Sequence, residues 1–167
     1  MAATTQPAVI DLLLTGIRSS LTDQSQLVTD GFPAGSGEPI VMVSVGGTNN
    51  PTALGAQVYM YLGAKTKREE YDLEIVVSVV LGGDGQQSQV AGADAQKAAR
   101  DLAYSAVHAV EAFIIADPTL GQFFNTGARK GGWVGIKDMT LKQTDDATAA
   151  IGAIGEVMMT LHVIALI

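Results

Sequence analysis

A chain of 167 residues fits one domain, since a single core accommodates roughly 100–200 residues, and a composition of 47% hydrophobic and 16% charged residues excludes a disordered chain. The net charge of −7, with Arg18 as the lone basic residue among the first 64, argues against tight binding to a phosphate backbone, which needs a basic patch. The absence of cysteine excludes a disulfide framework and any thiolate metal site.

Pro7 to Leu21 reads as a helix, because Ile10, Leu13, Leu14, Ile17 and Leu21 form one apolar stripe and Pro7 suits the first turn. Its N-terminal side lacks a basic lead and is broken by Asp11, so it does not read as a signal peptide. After a polar stretch that holds a short strand at Gln26–Thr29, the β-rich run Ile40–Val45 ends at Gly46-Gly47 and the turn signal Asn49-Asn50-Pro51. Gln57–Leu62 is a further strand, followed by a turn at Gly63–Lys65. Lys67–Leu81 is the clearest strand. Tyr71, Leu73, Ile75, Val77 and Val79 alternate with Glu70, Asp72 and Glu74, whose face continues into Val76 and Val80.

Asp94–Ala116 reads as one long helix, with Leu102, Val110, Phe113 and Ile114 as its bulky groups and many alanines for close packing. Asp117-Pro118 ends it, since a residue before proline resists the α region. Trp133–Gln143 and Glu156–Ile167 are the last two strands. The last is apolar but contains Glu156 and His162, and it is shorter than the roughly 20 apolar residues of a membrane helix. The order predicts an α+β fold in a single domain, 1–167: a mainly antiparallel sheet with an N-terminal helix and one long helix packed on one face. A protein made in a cytoplasm, with no membrane partner, is the expectation.

The residues offer little chemistry. His108, with Glu111 one turn on, and His162 are the two histidines, and neither gathers the three ligands of a metal site in sequence. Gly82-Gly83-Asp84-Gly85 follows a strand and precedes a helix, the right place for phosphate binding, but it lacks the Lys-Ser/Thr of a P-loop, misses GxGxxG and carries an acid. Glu69, Glu70, Asp72 and Glu74 suggest paired acids, yet a charged stripe on a strand is more simply a solvated face, or an acidic face turned to a ring lumen or a basic neighbour. No catalytic, cofactor-binding or metal-ligating residue is predicted.

The closing strand resists so plain a reading. Val157, Met159, Leu161, Val163 and Ala165 make one apolar face, while Met158, Ile164 and Leu166 make a second. A sheet with helices on one side normally alternates apolar with polar. The second face is therefore covered by loops of the same chain or by another subunit, and large apolar patches favour the subunit.

Three segments then occur in order: Arg68-Glu69-Glu70-Tyr71-Asp72-Leu73-Glu74-Ile75-Val76-Val77-Ser78-Val79-Val80 followed by Gly82-Gly83; Gln96-Lys97-Ala98-Ala99-Arg100-Asp101; and Ala116-Asp117-Pro118-Thr119-Leu120-Gly121. With the closing strand and the acidic, alanine-rich turn Asp145–Ala150 before it, this order resembles the tail terminator proteins of long-tailed (siphovirus-type) actinobacteriophages, over about residues 40–167. The resemblance implies a structural virion protein of the tail and neck with no cofactor. Such a protein forms a ring, a hexamer in the family, that ends tail-tube polymerisation and joins the tail to the head-side connector or stopper. Its implied partners are itself, the major tail tube protein and the connector, with DNA only passing through. Glu70, Asp72, Glu74, Asp84, Asp145 and Asp146 are the candidate channel-facing acids, which would keep DNA from adhering. Met158, Ile164 and Leu166 are the candidate subunit interface. A long Gly82–Ala93 insertion and the Gly-rich Gly121–Gly132 loop depart from the family pattern. Another neck component, a stopper or tail-completion protein, is the alternative within this class. A nucleotide-binding cytoplasmic enzyme using Gly82–Gly85 is the alternative outside it.

Overall fold

The computed structural model describes residues 4–21, 26–30, 41–46, 58–61, 67–81, 89–126, 131–145 and 153–166. In chain order the elements are helix α1 (Gln6–Ser20), strands β1 (Gln26–Asp30), β2 (Val41–Val45), β3 (Val58–Tyr61) and β4 (Lys67–Leu81), helix α2 (Gln89–Ala116), a 3-10 turn (Phe123–Asn125), and strands β5 (Trp133–Asp145) and β6 (Ala153–Leu166). One sheet runs β1-β2-β4-β6-β5, with β3 paired to β4 beyond the end of β2. β1 and β2 are parallel; every other pair is antiparallel. The fold is α+β, with both helices on one face of a mainly antiparallel sheet.

The two long central strands set the core. β4 and β6 pair without interruption from Arg68↔Leu166 to Leu81↔Ala153. Period-two alternation then puts Tyr71, Leu73, Ile75, Val77 and Val79 of β4 on the same face as Val157, Met159, Leu161, Val163 and Ala165 of β6, and all are buried. Both helices cover that face. From α1 come Val9, Leu13, Leu14 and Ile17, with Ile10 and Leu21 only partly buried at the margin of the stripe.

Helix α2 corrects two expectations. It begins at Gln89, not Asp94, so the last five of the twelve residues Gly82–Ala93 belong to the helix. Gly92 and the lack of bulky groups hid this turn, but a helix already nucleated gains a hydrogen bond per added residue, and one glycine costs only about 1 kcal/mol. Leu102, expected inside, is exposed; Ala99, Ala103, Ala106, Val107, Val110 and Ile114 face the core instead. The small residues let the helix backbone approach the sheet directly. At Gly155 a Cβ would stand 3.0 Å from the Ala99 carbonyl oxygen.

Past α2 the chain turns at Asp117, as Asp117-Pro118 predicts. Its carboxylate accepts hydrogen bonds from the Thr119 hydroxyl (2.7 Å), the Thr119 amide (3.1 Å) and the Gly121 amide (2.5 Å). The Thr119 hydroxyl foremost, then the Gly121 amide, hold this carboxyl below the usual range. The segment 116–121 is thus an Asx-type turn, and it seats Leu120 and Phe124 in the core.

The sheet edges are treated unequally. On β1 the Arg18 guanidinium donates to the Val28 carbonyl (3.0 Å). At the start of β5 the Val134 amide donates to the Pro118 carbonyl (2.9 Å). A register shift between Ile136 and Asp138 then inserts Lys137 as a bulge. Cover of the kind that Arg18 and Pro118 supply is a usual means of keeping an edge strand from pairing with a stranger.

Candidate assembly surface

The second face of the sheet carries the even-numbered residues of β4 and β6. Asp72 stands directly opposite His162, Glu70 opposite Ile164, Arg68 opposite Leu166 and Val76 opposite Met158. His162 is the hub. Its Nδ1 lies 2.7 Å from Asp72 Oδ1 and its Nε2 3.0 Å from Glu70 Oε1. Arg68 pairs with the other Glu70 oxygen at 2.9 Å, and Lys137 reaches across β6 to the other Asp72 oxygen at 2.5 Å. Alternation from Trp133 and Gly135 already puts Lys137 on this face, and the bulge keeps Asp138 on it as well.

Trp133 closes the network from β5. Its ring meets His162 edge-on, with centroids 5.9 Å apart. It lies over Gly135, where a Cβ would come within 2.3 Å of the indole, so only glycine leaves room for this pose. Trp133 stays 42% exposed, an aromatic platform between the His162 network and the aliphatic Ile164. Beside it Ile164 and Leu166 are half-buried, while the half-buried Met158 and Ile154 lie farther along β6, beyond His162, Thr160 and Glu156 on the same face.

The three predicted interface residues, Met158, Ile164 and Leu166, therefore share the second face, as their phase requires. Val76 and Ser44 lie on the same face but are buried, at 3% and 1% exposure, so that face is open only in part. Among the predicted acids, Glu70, Asp72 and Glu74 are half-buried on this face. Asp145 ends β5 opposite Ala153, while Asp84 and Asp146 lie outside the described residues, as do Gly82–Gly85 and Arg129-Lys130. Glu69 parts from its neighbours. It is fully buried on the helix side, where its carboxylate accepts the Thr5 amide (2.8 Å), the Thr5 hydroxyl (2.7 Å) and the Thr4 hydroxyl at the start of α1.

The network is poorly arranged for catalysis. Both ring nitrogens of His162 are occupied by carboxylates, which leaves none facing a substrate proton. The two carboxylates flank the ring from different sides and do not converge on one point. Among the described residues no His, Asp and Glu group is placed to hold a metal ion. His108 is exposed, with Nδ1 3.3 Å from Glu111 Oε2. No described helix is long and apolar enough to cross a membrane.

Burial opposes the charged form of Asp72, but the hydrogen bonds from Lys137 and His162 outweigh it and hold the carboxyl below the usual range; Asp72 in turn holds the Lys137 ammonium above its usual value. A carboxyl with a depressed folded pKa adds stability above the unfolded value and loses it as pH falls through the folded one. The share due to Asp72 is expected to be lost as pH falls below the usual carboxylate range, and Asp72→Asn should remove that part of the acid sensitivity. Since the Lys137 partner is more than half exposed, the effect should stay below about 1 kcal/mol. Urea midpoints of both proteins across this pH range measure it.

No protein-family model matches the chain, and no curated protein matches it at a significant level.

Proposed function

We propose that the chain is a structural subunit of a long-tailed phage virion, a tail terminator that closes into a ring on the tail tube, ends its polymerisation and joins the tail to the head-side connector. The observation that carries this reading is the second face of the sheet: Ile164 and Leu166 beside the exposed, preorganised Trp133, with Met158 and Ile154 farther along the same face of β6. A rigid aromatic among aliphatic groups is the usual centre of a protein–protein contact. The order of segments that resembles tail terminators supplies the identity of the assembly, a hexamer in that family, with the tail tube protein and the connector as neighbours.

The ion network fits burial at such a contact. Glu70 stands opposite Ile164, so any neighbour that covers Ile164 covers Glu70 as well. An unpaired acid there would cost several kcal/mol, whereas one already paired within its own subunit is tolerated. Glu70, Asp72 and Glu74 thus belong with the interface residues, and Asp84, Asp145 and Asp146 remain as the acids proposed to face the channel and repel passing DNA.

Ile164→Asp tests the reading. The side chain is outside the core, so the variant should keep its circular dichroism spectrum and melt cooperatively, yet fail to form rings by size-exclusion chromatography. A folded, ring-competent Ile164→Asp protein removes this face as the subunit contact. An unfolded one shows that the chain's own segments cover it.

A further inference from the structure

We infer that the outer edge of β5 beyond its bulge pairs with the same edge of a second copy, antiparallel about a two-fold axis at Thr140. This contact goes beyond the ring reading and uses the sheet's edge rather than its face.

The argument begins with how the edges are kept. The β1 edge is occupied by Arg18, and the first residues of β5 by the Pro118 carbonyl. The residue best placed to guard the rest of β5 is Lys137, but it is turned inward onto Asp72. From Asp138 onward β5 is the terminal strand of the sheet among the described residues, and Asp138, Met139 and Thr140 are exposed. A long, open strand edge is a template for a further strand. Among the described residues two positions on the outer strands are covered, and β5 from Asp138 onward carries no such cover.

The sequence of this edge is self-complementary in one register. Asp138, Thr140 and Lys142 stand opposite Thr160, Met158 and Glu156, on the second face, while Met139 and Leu141 stand opposite Met159 and Val157, on the helix side. A two-fold at Thr140 sets Asp138 against the partner's Lys142, Thr140 against Thr140, and Met139 against the partner's Leu141. Each pairing keeps its residues on matching faces, and Met139, 38% exposed in the single chain, gains an apolar partner. A two-fold at Met139 instead sets Asp138 against Thr140 and Lys137 against Leu141. One at Lys142 sets like charges together, which is unfavourable directly across a strand pair. Thr140 is thus the centre that matches opposite charges and like polarity at every step.

Thr140→Cys gives the direct test, because the chain has no other cysteine. Residues facing each other across the two-fold have Cβ atoms about 4.5–5.5 Å apart, close enough for a disulfide after slight adjustment. Mild oxidation of the full-length variant should yield a covalent dimer. Asp138→Cys, four residues from its own copy across the pair, should not. In sedimentation equilibrium, Asp138→Lys and Lys142→Asp should each weaken dimerisation by roughly tenfold or more, and the double reversal should restore it. Repeating these measurements on an Ile164→Asp background separates the edge contact from the ring: the dimer should persist where rings are lost. Absence of the Thr140 cross-link, equal cross-linking at both positions, or reversals without effect would overturn the inference. Circular dichroism checks that each variant is folded, and if a single reversal unfolds, the cysteine pair alone decides.

Discussion

Leu161→Asp is expected to abolish folding. Leu161 is fully buried at the centre of the core, opposite Leu73 of β4 and Ile136 of β5. Losing the burial of one leucine side chain costs about 1.5–3 kcal/mol, and a buried carboxylate with no partner adds several more. Together these approach or exceed a typical net stability of about 5–15 kcal/mol. Far-UV circular dichroism should show no cooperative melt. Leu161→Met, which keeps the volume, should cost less than about 1.5 kcal/mol and melt normally. Folded Leu161→Asp protein would place the core elsewhere.

The second large effect belongs to Glu69. Its side chain holds the first turn of α1 against β4 through the Thr5 amide and the hydroxyls of Thr4 and Thr5, and the Thr5 hydroxyl also meets the Tyr71 phenol at 3.2 Å. Burial foremost, with the nearby Glu69 charge adding to it, pushes the Tyr71 phenol up, so this end of the core keeps a neutral hydroxyl beside the one carboxylate. Glu69→Ala strands buried donors at a helix start and should cost about 2–4 kcal/mol. Glu69→Gln retains an acceptor and should cost roughly half of that. Glu70→Ala, one residue on but on the partly exposed face, should change stability by about 1 kcal/mol or less. Urea denaturation of the three variants measures the ranking, and hydrogen exchange in α1 should quicken in Glu69→Ala first. A Glu69→Ala protein as stable as Glu70→Ala would refute the role given to this carboxylate.

These neighbouring acids show what sequence does and does not disclose. Period-two patterning places Tyr71, Leu73 and Ile75 inside and Glu70, Asp72 and Glu74 outside, and the structure agrees. The same phase puts Glu69 inside, in step with Tyr71, but its charge made it look like one of the surface acids. Only the packing of α1 supplies the hydroxyls that make its burial tolerable. Which residues of β6 share a face was equally legible, because alternation is a property of one strand; the second face carries Glu156, Thr160 and His162 among Met158, Ile164 and Leu166. The His162 network was not. It depends on the register that sets Asp72 opposite His162 and on the pairing of β5 with β6 that brings Lys137 within reach of Asp72, and both are long-range. The start of α2 was missed for a local reason: a turn of small residues around Gly92 carries no apolar stripe, although the helix runs through it.

Electron microscopy of the purified full-length chain, alone and mixed with tail tubes lacking a terminator, tests the central claim most directly. Closed rings, seated at the end of the tube that receives the head and halting its growth, are expected, with Trp133 and Ile164 at the contacts between subunits. A chain that forms no ring at high concentration, leaves the tube ends bare and lets them keep growing would contradict the proposed function.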